Sequence, residues 1–239
     1  MIKIQLCIFT LKILIVSLIL NIETATKNCS VSLSNNGELL AIKELNDGNY
    51  SHSENLHLFI KEVLNSTHKS FAELDAIAVS KGPGSYTGLR IGVSTVKGLC
   101  FSLDKPLISV STLASLANSI TVEKGAIIAP LLDARRMEVY SAVIDSDYNQ
   151  IREVKAEIID STSFSSFLNE GKVYFLGDGA DKCKEIIKHK NAIFLDGYFP
   201  SAKQMAILSF DKYKNNDTED VAYFEPFYLK DFLITKSKK

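Results

Sequence analysis

Strand-like and helix-like spacings of apolar residues succeed one another along this chain in an order that already suggests its architecture. Leu18 to Glu23 reads as a buried strand. After a turn at Thr24-Ala25-Thr26-Lys27-Asn28, Cys29, Val31 and Leu33 alternate with Ser30, Ser32 and Ser34, the period of a second strand. Asn35-Asn36-Gly37 is a hairpin signal and leads into a third strand, Glu38 to Leu45. The period then changes. Ser51 or Ser53 caps a helix predicted over 54–66, whose Leu56, Phe59, Ile60, Val63 and Leu64 share one face. Ala76, Ile77, Ala78 and Val79 form another buried strand, which Lys81-Gly82-Pro83-Gly84 breaks into a loop. Ser85 or Thr87 then caps a helix starting close to Gly88, which carries Leu89, Val93, Val96, Leu99 and Cys100 toward a core.

The second half follows a similar course. Strands are predicted over 106–111, 126–132, 138–144, 151–159 and 173–176, with short helices over 112–120 and 162–168. The strand at 126–132 ends at Asp133-Ala134-Arg135-Arg136 and returns as a hairpin. The strand at 173–176 runs into Gly177-Asp178-Gly179-Ala180 and a helix through Ile186 and Ile187. Pro200-Ser201 opens a last helix through Met205 and Leu208.

Glycines carry the first chemical question. Gly88, Gly92 and Gly98 each cost roughly 1 kcal/mol inside a helix relative to Ala, and the four-residue spacing of Gly88 and Gly92 calls for a second backbone packed closely there. A glycine loop between a strand and a helix start can also bind an anion through free N–H groups. Both readings stand. No Walker or dinucleotide spacing is present. His52 and His57 are five apart, which turns the two imidazoles away from each other, so no metal pair is expected. Asp133 with Arg135 or Arg136 suggests a charged contact for a partner or nucleotide.

The 239 residues are 46% hydrophobic, enough for one or two lobes with a sizeable core, and a net charge of -1 does not advertise nucleic-acid binding. Cys7, Cys29, Cys100 and Cys183 are scattered without zinc or disulfide spacing, which fits reduced thiols in the cytoplasm. Residues 2–22 are almost wholly apolar, broken by Lys3, Gln5 and Lys12; about 20 such residues could span a bilayer or mimic a secretory signal. Asn21-Ile22-Glu23-Thr24-Ala25 offers no cleavage site.

The run Ser80-Lys81-Gly82-Pro83-Gly84-Ser85-Tyr86-Thr87-Gly88-Leu89-Arg90-Ile91-Gly92 resembles the signature of the TsaB family. These are the dimerisation subunits of the bacterial complex that makes threonylcarbamoyladenosine in tRNA. The likeness continues at Ile22-Glu23-Thr24-Ala25-Thr26, at Leu132-Asp133-Ala134-Arg135-Arg136-Met137-Glu138-Val139-Tyr140 and at Phe227-Tyr228-Leu229-Lys230-Asp231. It implies an α/β protein of the two-lobed actin-like, sugar-kinase and Hsp70 fold, with mixed sheets flanked by helices. The lobes would cover 17–105, bearing the partner-binding helices, and 106–239. Residues 1–16 would be an apolar extension, residues 1–15 of it a start-site artefact ahead of a start near Val16, since the family's first strand matches from Ser17.

The resemblance also implies a function. The chain would pair with a catalytic TsaD-type subunit and activate it for threonylcarbamoyl transfer to the adenosine beside the anticodon. A TsaE-type ATPase would join the complex, tRNA would be reached through it, and the chain alone would homodimerise; no membrane is involved. Its partner face would comprise Leu56, Phe59, Ile60, Val63, Tyr86, Gly88, Leu89, Gly92, Val93 and Val96, so Gly92→Leu should weaken association yet leave the lobe folded. Thr24, Thr26, Gly82, Gly84, Ser85, Gly177, Asp178 and Gly179 would be vestigial nucleotide or anion contacts, and the complex interface would be a place for ATP or ADP. No catalytic residue, cofactor or metal is assigned to the chain itself. Catalytic relatives carry two metal-binding histidines four apart, whereas residues 110–118 here hold no His, Cys, Asp or Glu, and Glu23 stands where active phosphotransferases have Asp. The alternative is a stand-alone ATPase- or kinase-like, or metallopeptidase-like, enzyme.

Overall fold

The computed structural model describes residues 17–48 and 52–230. The apolar extension and the Lys236, Lys238 and Lys239 tail lie outside them.

The first lobe is built on β1 (Leu18–Glu23), β2 (Cys29–Asn35), β3 (Glu38–Leu45), β4 (Ala76–Gly82) and β5 (Leu107–Ser111), in the order β3-β2-β1-β4-β5. Strands β1, β2 and β3 pair antiparallel, and β4 and β5 add in parallel. The β2–β3 hairpin turns at Asn36 and Gly37, whose φ values of 52° and 82° are what a two-residue hairpin of this hand requires. Parallel strands need crossovers, and two helices supply them: α1 (His52–Ser66) before β4 and α2 (Tyr86–Leu103) before β5. Both lie on one face, where Leu20, Ile22, Val31, Leu33, Leu56, Ile60, Val63, Val93 and Val96 form one core.

The opposite face carries Ser30, Ser32 and Ser34, polar side chains that water would suit. It is buried instead. A helix from the far end of the chain, numbered below, covers it. Ser32 donates to Ala202 O at 2.7 Å, Ala202 N donates to Ser30 Oγ at 3.1 Å, and Ser209 donates to Asn21 Oδ1 at 2.6 Å. Buried hydroxyls are tolerated because each finds a partner.

The second lobe repeats this plan. After the short α3 (Thr112–Ala117) come β6 (Ile127–Asp133), β7 (Glu138–Asp145), β8 (Gln150–Ile158), α4 (Ser165–Glu170), β9 (Val173–Leu176), α5 (Ala180–Lys184), β10 (Ala192–Leu195) and α6 (Ala202–Lys214). The order β10-β9-β6-β7-β8 is the first sheet's order read from the other edge: β6, β7 and β8 antiparallel, β9 and β10 added in parallel. The duplication, invisible as a sequence repeat, is complete in connectivity.

Two helices are exchanged between the lobes. Leu113, Leu116 and Ala117 of α3, which follows the first sheet, pack with Ile128, Leu132 and Ala142 of the second. Ala202 and Met205 of α6, which follows the second sheet, pack with Ile19, Ala76, Ala78 and Ile108 of the first. The boundary at 105/106 is therefore corrected: β5 belongs to the first sheet and α6 returns to it. Smaller corrections concern helix ends. Helix α1 begins at His52, so Ser53 lies inside it, and Ser85 caps α2 at Tyr86, two residues before Gly88.

Candidate functional site

The C-terminal ends of β1 and β4 meet beneath the start of α2, and there the glycine run acquires its reason. A Cβ on Gly88 would lie 2.1 Å from the Thr24 carbonyl oxygen, and one on Gly92 2.3 Å from Thr24 Oγ1. Thr24 itself donates to the Gly88 carbonyl at 2.9 Å. One on Gly84 would fall 2.4 Å from Ala25 O, which already accepts the Ser85 N–H at 2.6 Å. The backbone that needs these glycines is the chain's own first turn. Gly82, at φ 106°, is pressed from outside by the Phe227 carbonyl.

Of the two open readings of the glycine loop, this geometry realises the backbone contact. The Ser85 and Gly88 N–H groups, which would face an anion, are bonded to Ala25 O and Ser85 Oγ.

Glu23 closes β1 and is wholly buried. Its Oε1 accepts the Ala25 N–H at 2.7 Å. Burial pushes the carboxyl up to about 7, against the pull of the Ala25 N–H and the Ser80 hydroxyl. Oε2 has no hydrogen-bond partner among the described residues. Thr26 is buried too, its carbonyl 2.7 Å from His52 Nε2; burial lowers the His52 pKa. His57 faces solvent.

The second lobe repeats the arrangement. Gly177 has φ 104°, and a Cβ there would sit 2.2 Å from Leu131 O. Gly179 N donates to Leu131 O at 3.1 Å, and Asp178 Oδ1 accepts Asp133 N at 3.0 Å. Burial raises the Asp178 pKa. The suggested Asp133–arginine pair is corrected: the Asp133 carboxylate takes the Lys182 ammonium and the Arg135 backbone N–H.

Most residues expected on the partner face lie inside the chain. Leu56, Ile60, Val63, Leu89, Val93 and Val96 are buried in the chain's own first lobe, Phe59 packs partly against that core, and Gly88 and Gly92 face Thr24. Tyr86 is half-buried beside Tyr228. What these two helices present outward is different: Leu58 on α1, 57% exposed, and on α2 Arg90, Ser94, Gly98 and Phe101, the last 85% exposed. A Cβ on Gly98 would meet nothing within 4 Å. Sequence periodicity finds the buried stripe of a helix; Phe101, lying off that stripe, was the available signal for the outer one.

Two lobes of one connectivity, joined by exchanged helices, with paired strand–glycine–helix turns at the junction, define an actin-like protein. Residues 47–236 match the family described as TsaD: tRNA N6-adenosine threonylcarbamoyltransferase. A crystal structure from Pseudomonas aeruginosa, described as an uncharacterised protein with similarity to peptidase YEAZ, superposes with a TM-score of 0.78 at 25% identity, covering 90% of this chain and 100% of that one. The Escherichia coli K12 protein named tRNA threonylcarbamoyladenosine biosynthesis protein TsaB is 30% identical over 228 residues, 91% of this chain and 96% of that relative. Its Bacillus subtilis namesake is 31% identical over 192 residues, 75% and 80% of the two chains. The chain belongs to the TsaB family. Among the described residues, no helix is long and apolar enough to cross a membrane, and no three His, Cys, Asp or Glu side chains gather as a metal site.

Proposed function

We propose that this chain is a non-catalytic subunit of the tRNA threonylcarbamoyladenosine machinery, which pairs with a TsaD-type catalytic subunit and activates it. The observation that carries the pairing is the outer face of the two helices, where Leu58 stands exposed on α1 and Phe101 stands exposed on α2, one turn from the open backbone of Gly98. An aromatic next to a bare stretch of helix is what a second helix needs for close approach. The helices anticipated from the sequence are kept, and the contacting face is the opposite one. The non-catalytic reading is supported by the first turn: its acid, Glu23, is buried and bonded to the Ala25 N–H, and both glycine turns are filled by their own lobe's backbone.

In this reading a TsaE-type ATPase completes the assembly, ATP or ADP binds at the complex interface, and the chain pairs with itself when alone. The site of action is the cytoplasm. The test is reconstitution of residues 16–239 with the catalytic subunit, its ATPase companion, threonylcarbamoyl-adenylate and unmodified tRNA, read by mass spectrometry of the digested nucleosides. Modification should depend on this chain, and the chain alone should give none. Equal modification without it would sink the proposal.

A further inference from the structure

Three of the chain's four arginines, Arg90, Arg135 and Arg136, belong to the two elements that border one pocket, α2 through Tyr86 and the β6–β7 hairpin through Tyr140, although the chain as a whole has a net charge of -1. The fourth, Arg152, is spent on a partly buried pair with Glu157. Arg90 comes from α2 in the first lobe, Arg135 and Arg136 from the β6–β7 turn in the second, and the C-terminal segment at 227–230 runs between them. All three are exposed, and none makes an ion pair among the described residues. The neighbouring acids Asp133 and Glu138 are already taken by Lys182 and Lys230; among the described residues, Glu225 is the further carboxylate near Tyr228.

Aromatic rings are interleaved with these cations. The Arg90 guanidinium lies 5.3 Å from the Tyr86 ring centroid, and Tyr86 and Tyr228 lie 4.9 Å apart at 36°. They form a column of guanidinium, ring and ring. Tyr228, at its outer end, is 38% exposed. Beyond a pocket of about 40 Å³ lined by Tyr86, Tyr140, Tyr228 and Lys230 is the Tyr140 ring, with the Lys230 ammonium 5.8 Å from its centroid. The Arg135 charge acts on the Tyr140 hydroxyl.

We propose that this junction is a binding surface for single-stranded RNA, with unstacked bases laid on Tyr228 and Tyr140 and the backbone phosphates met by Arg90, Arg135 and Arg136. Arginine suits both tasks, since its planar cation pairs with phosphate and stacks on rings. Every base has a face to stack, so the surface takes exposed loop nucleotides rather than a duplex, whose bases are occupied. The choice of RNA rests on the reading of a tRNA-modifying assembly; the geometry of stacking ring and unpaired cation stands apart from it.

The probe is an unmodified tRNA anticodon stem–loop, with a blunt RNA duplex for comparison, titrated against the full chain by fluorescence anisotropy at several salt concentrations. Because the chain has no tryptophan, quenching of its tyrosine fluorescence reads stacking directly. Tyr228→Ala should weaken stem–loop binding about tenfold and reduce the quench. The double variant Arg135→Ala/Arg136→Ala should weaken it further at low salt and flatten log K against log salt by roughly 0.7–0.9 for each phosphate left without its arginine. These side chains are exposed, so circular dichroism should match the unaltered chain. Unchanged affinity in Tyr228→Ala, equal affinity for duplex, or no salt-dependent binding by the unaltered chain would each overturn the proposal. None of these results touches the reconstitution, which asks whether modification needs the chain at all.

Discussion

The two lobes share strand order, strand direction and the position of their glycine turns, yet they spend their crossovers differently. In the first lobe, 15 and 18 residues of helix bridge β3 to β4 and β4 to β5. In the second, the corresponding helices have six and five residues. A helix of four or five turns covers a sheet with one face and still has another to offer. One of a single turn plugs a core and offers almost nothing. The sheets therefore hold the fold in both halves, while the first half's crossovers have the spare helical surface. What duplicated is the scaffold; what diverged is the outer layer.

Several substitutions can break or sharpen this comparison. The largest effects belong to the feature the lobes share. Gly88→Leu and Gly177→Ala each drive a side chain onto a carbonyl oxygen, Gly177 at a positive φ besides, and each should cost several kcal/mol. Thermal melts should show neither variant folding as the parent does. Gly92→Leu, anticipated as a partner-face change, joins this group because it strikes Thr24. If Gly92→Leu melted like the parent, the packing of the first turn under α2 would be wrong.

Glu23 distinguishes the first lobe electrostatically. Its carboxyl is raised from 4.5 to about 7 in the fold, so the folded state holds a proton that the unfolded chain has released. That contribution is fully present below pH 4.5 and is lost as the pH rises through about 7. The change amounts to roughly 3 kcal/mol at about 1.4 kcal/mol per pKa unit. Glu23→Gln should flatten the profile between those limits in urea melts repeated across pH; a profile as steep as the parent's would count against a buried, proton-holding Glu23.

Gly98 tests the outer layer by contrast. With open space around it, Gly98→Ala should stabilise the isolated chain by about 1 kcal/mol, the opposite sign to the other helix glycines. Phe101→Asp should leave the melt within about 0.5 kcal/mol and should weaken association with the catalytic subunit in a pull-down. Unweakened association would move the interface elsewhere.

Most of the strand and helix order was legible from spacing, because each element's apolar period matches its class. The Asn36-Gly37 turn and the Ser85 cap were legible for the same local reason. Strand β10, Ala192–Leu195, escaped: four half-buried residues at a sheet edge leave too short a run to read. The serines of β2 bond to partners some 170 residues away, which the alternation of the strand does not reveal. Glycine spacing announced a close approach but could not say whose backbone approached. Helical periodicity likewise names the buried stripe of α1 and α2 and is silent on what their outer faces carry. The RNA-facing arginines were hidden by an overall charge of -1, since a sum over the chain says nothing about where its terms collect.

The exchange of α3 and α6 has a consequence for how the molecule is made. As the chain leaves the ribosome, the first sheet is fully synthesised by Ser111, but the helix that covers its serine face, Ala202–Lys214, is among the last parts translated. For most of synthesis that face must wait, wetted by solvent or shielded by a chaperone, and the first lobe cannot mature before the second. Nascent chains stalled ahead of Ala202 should accordingly be cut readily within β1 to β3 by a protease, and those stalled after α6 has cleared the exit tunnel should resist. Vectorial synthesis thus gives way, in this fold, to closure at the end.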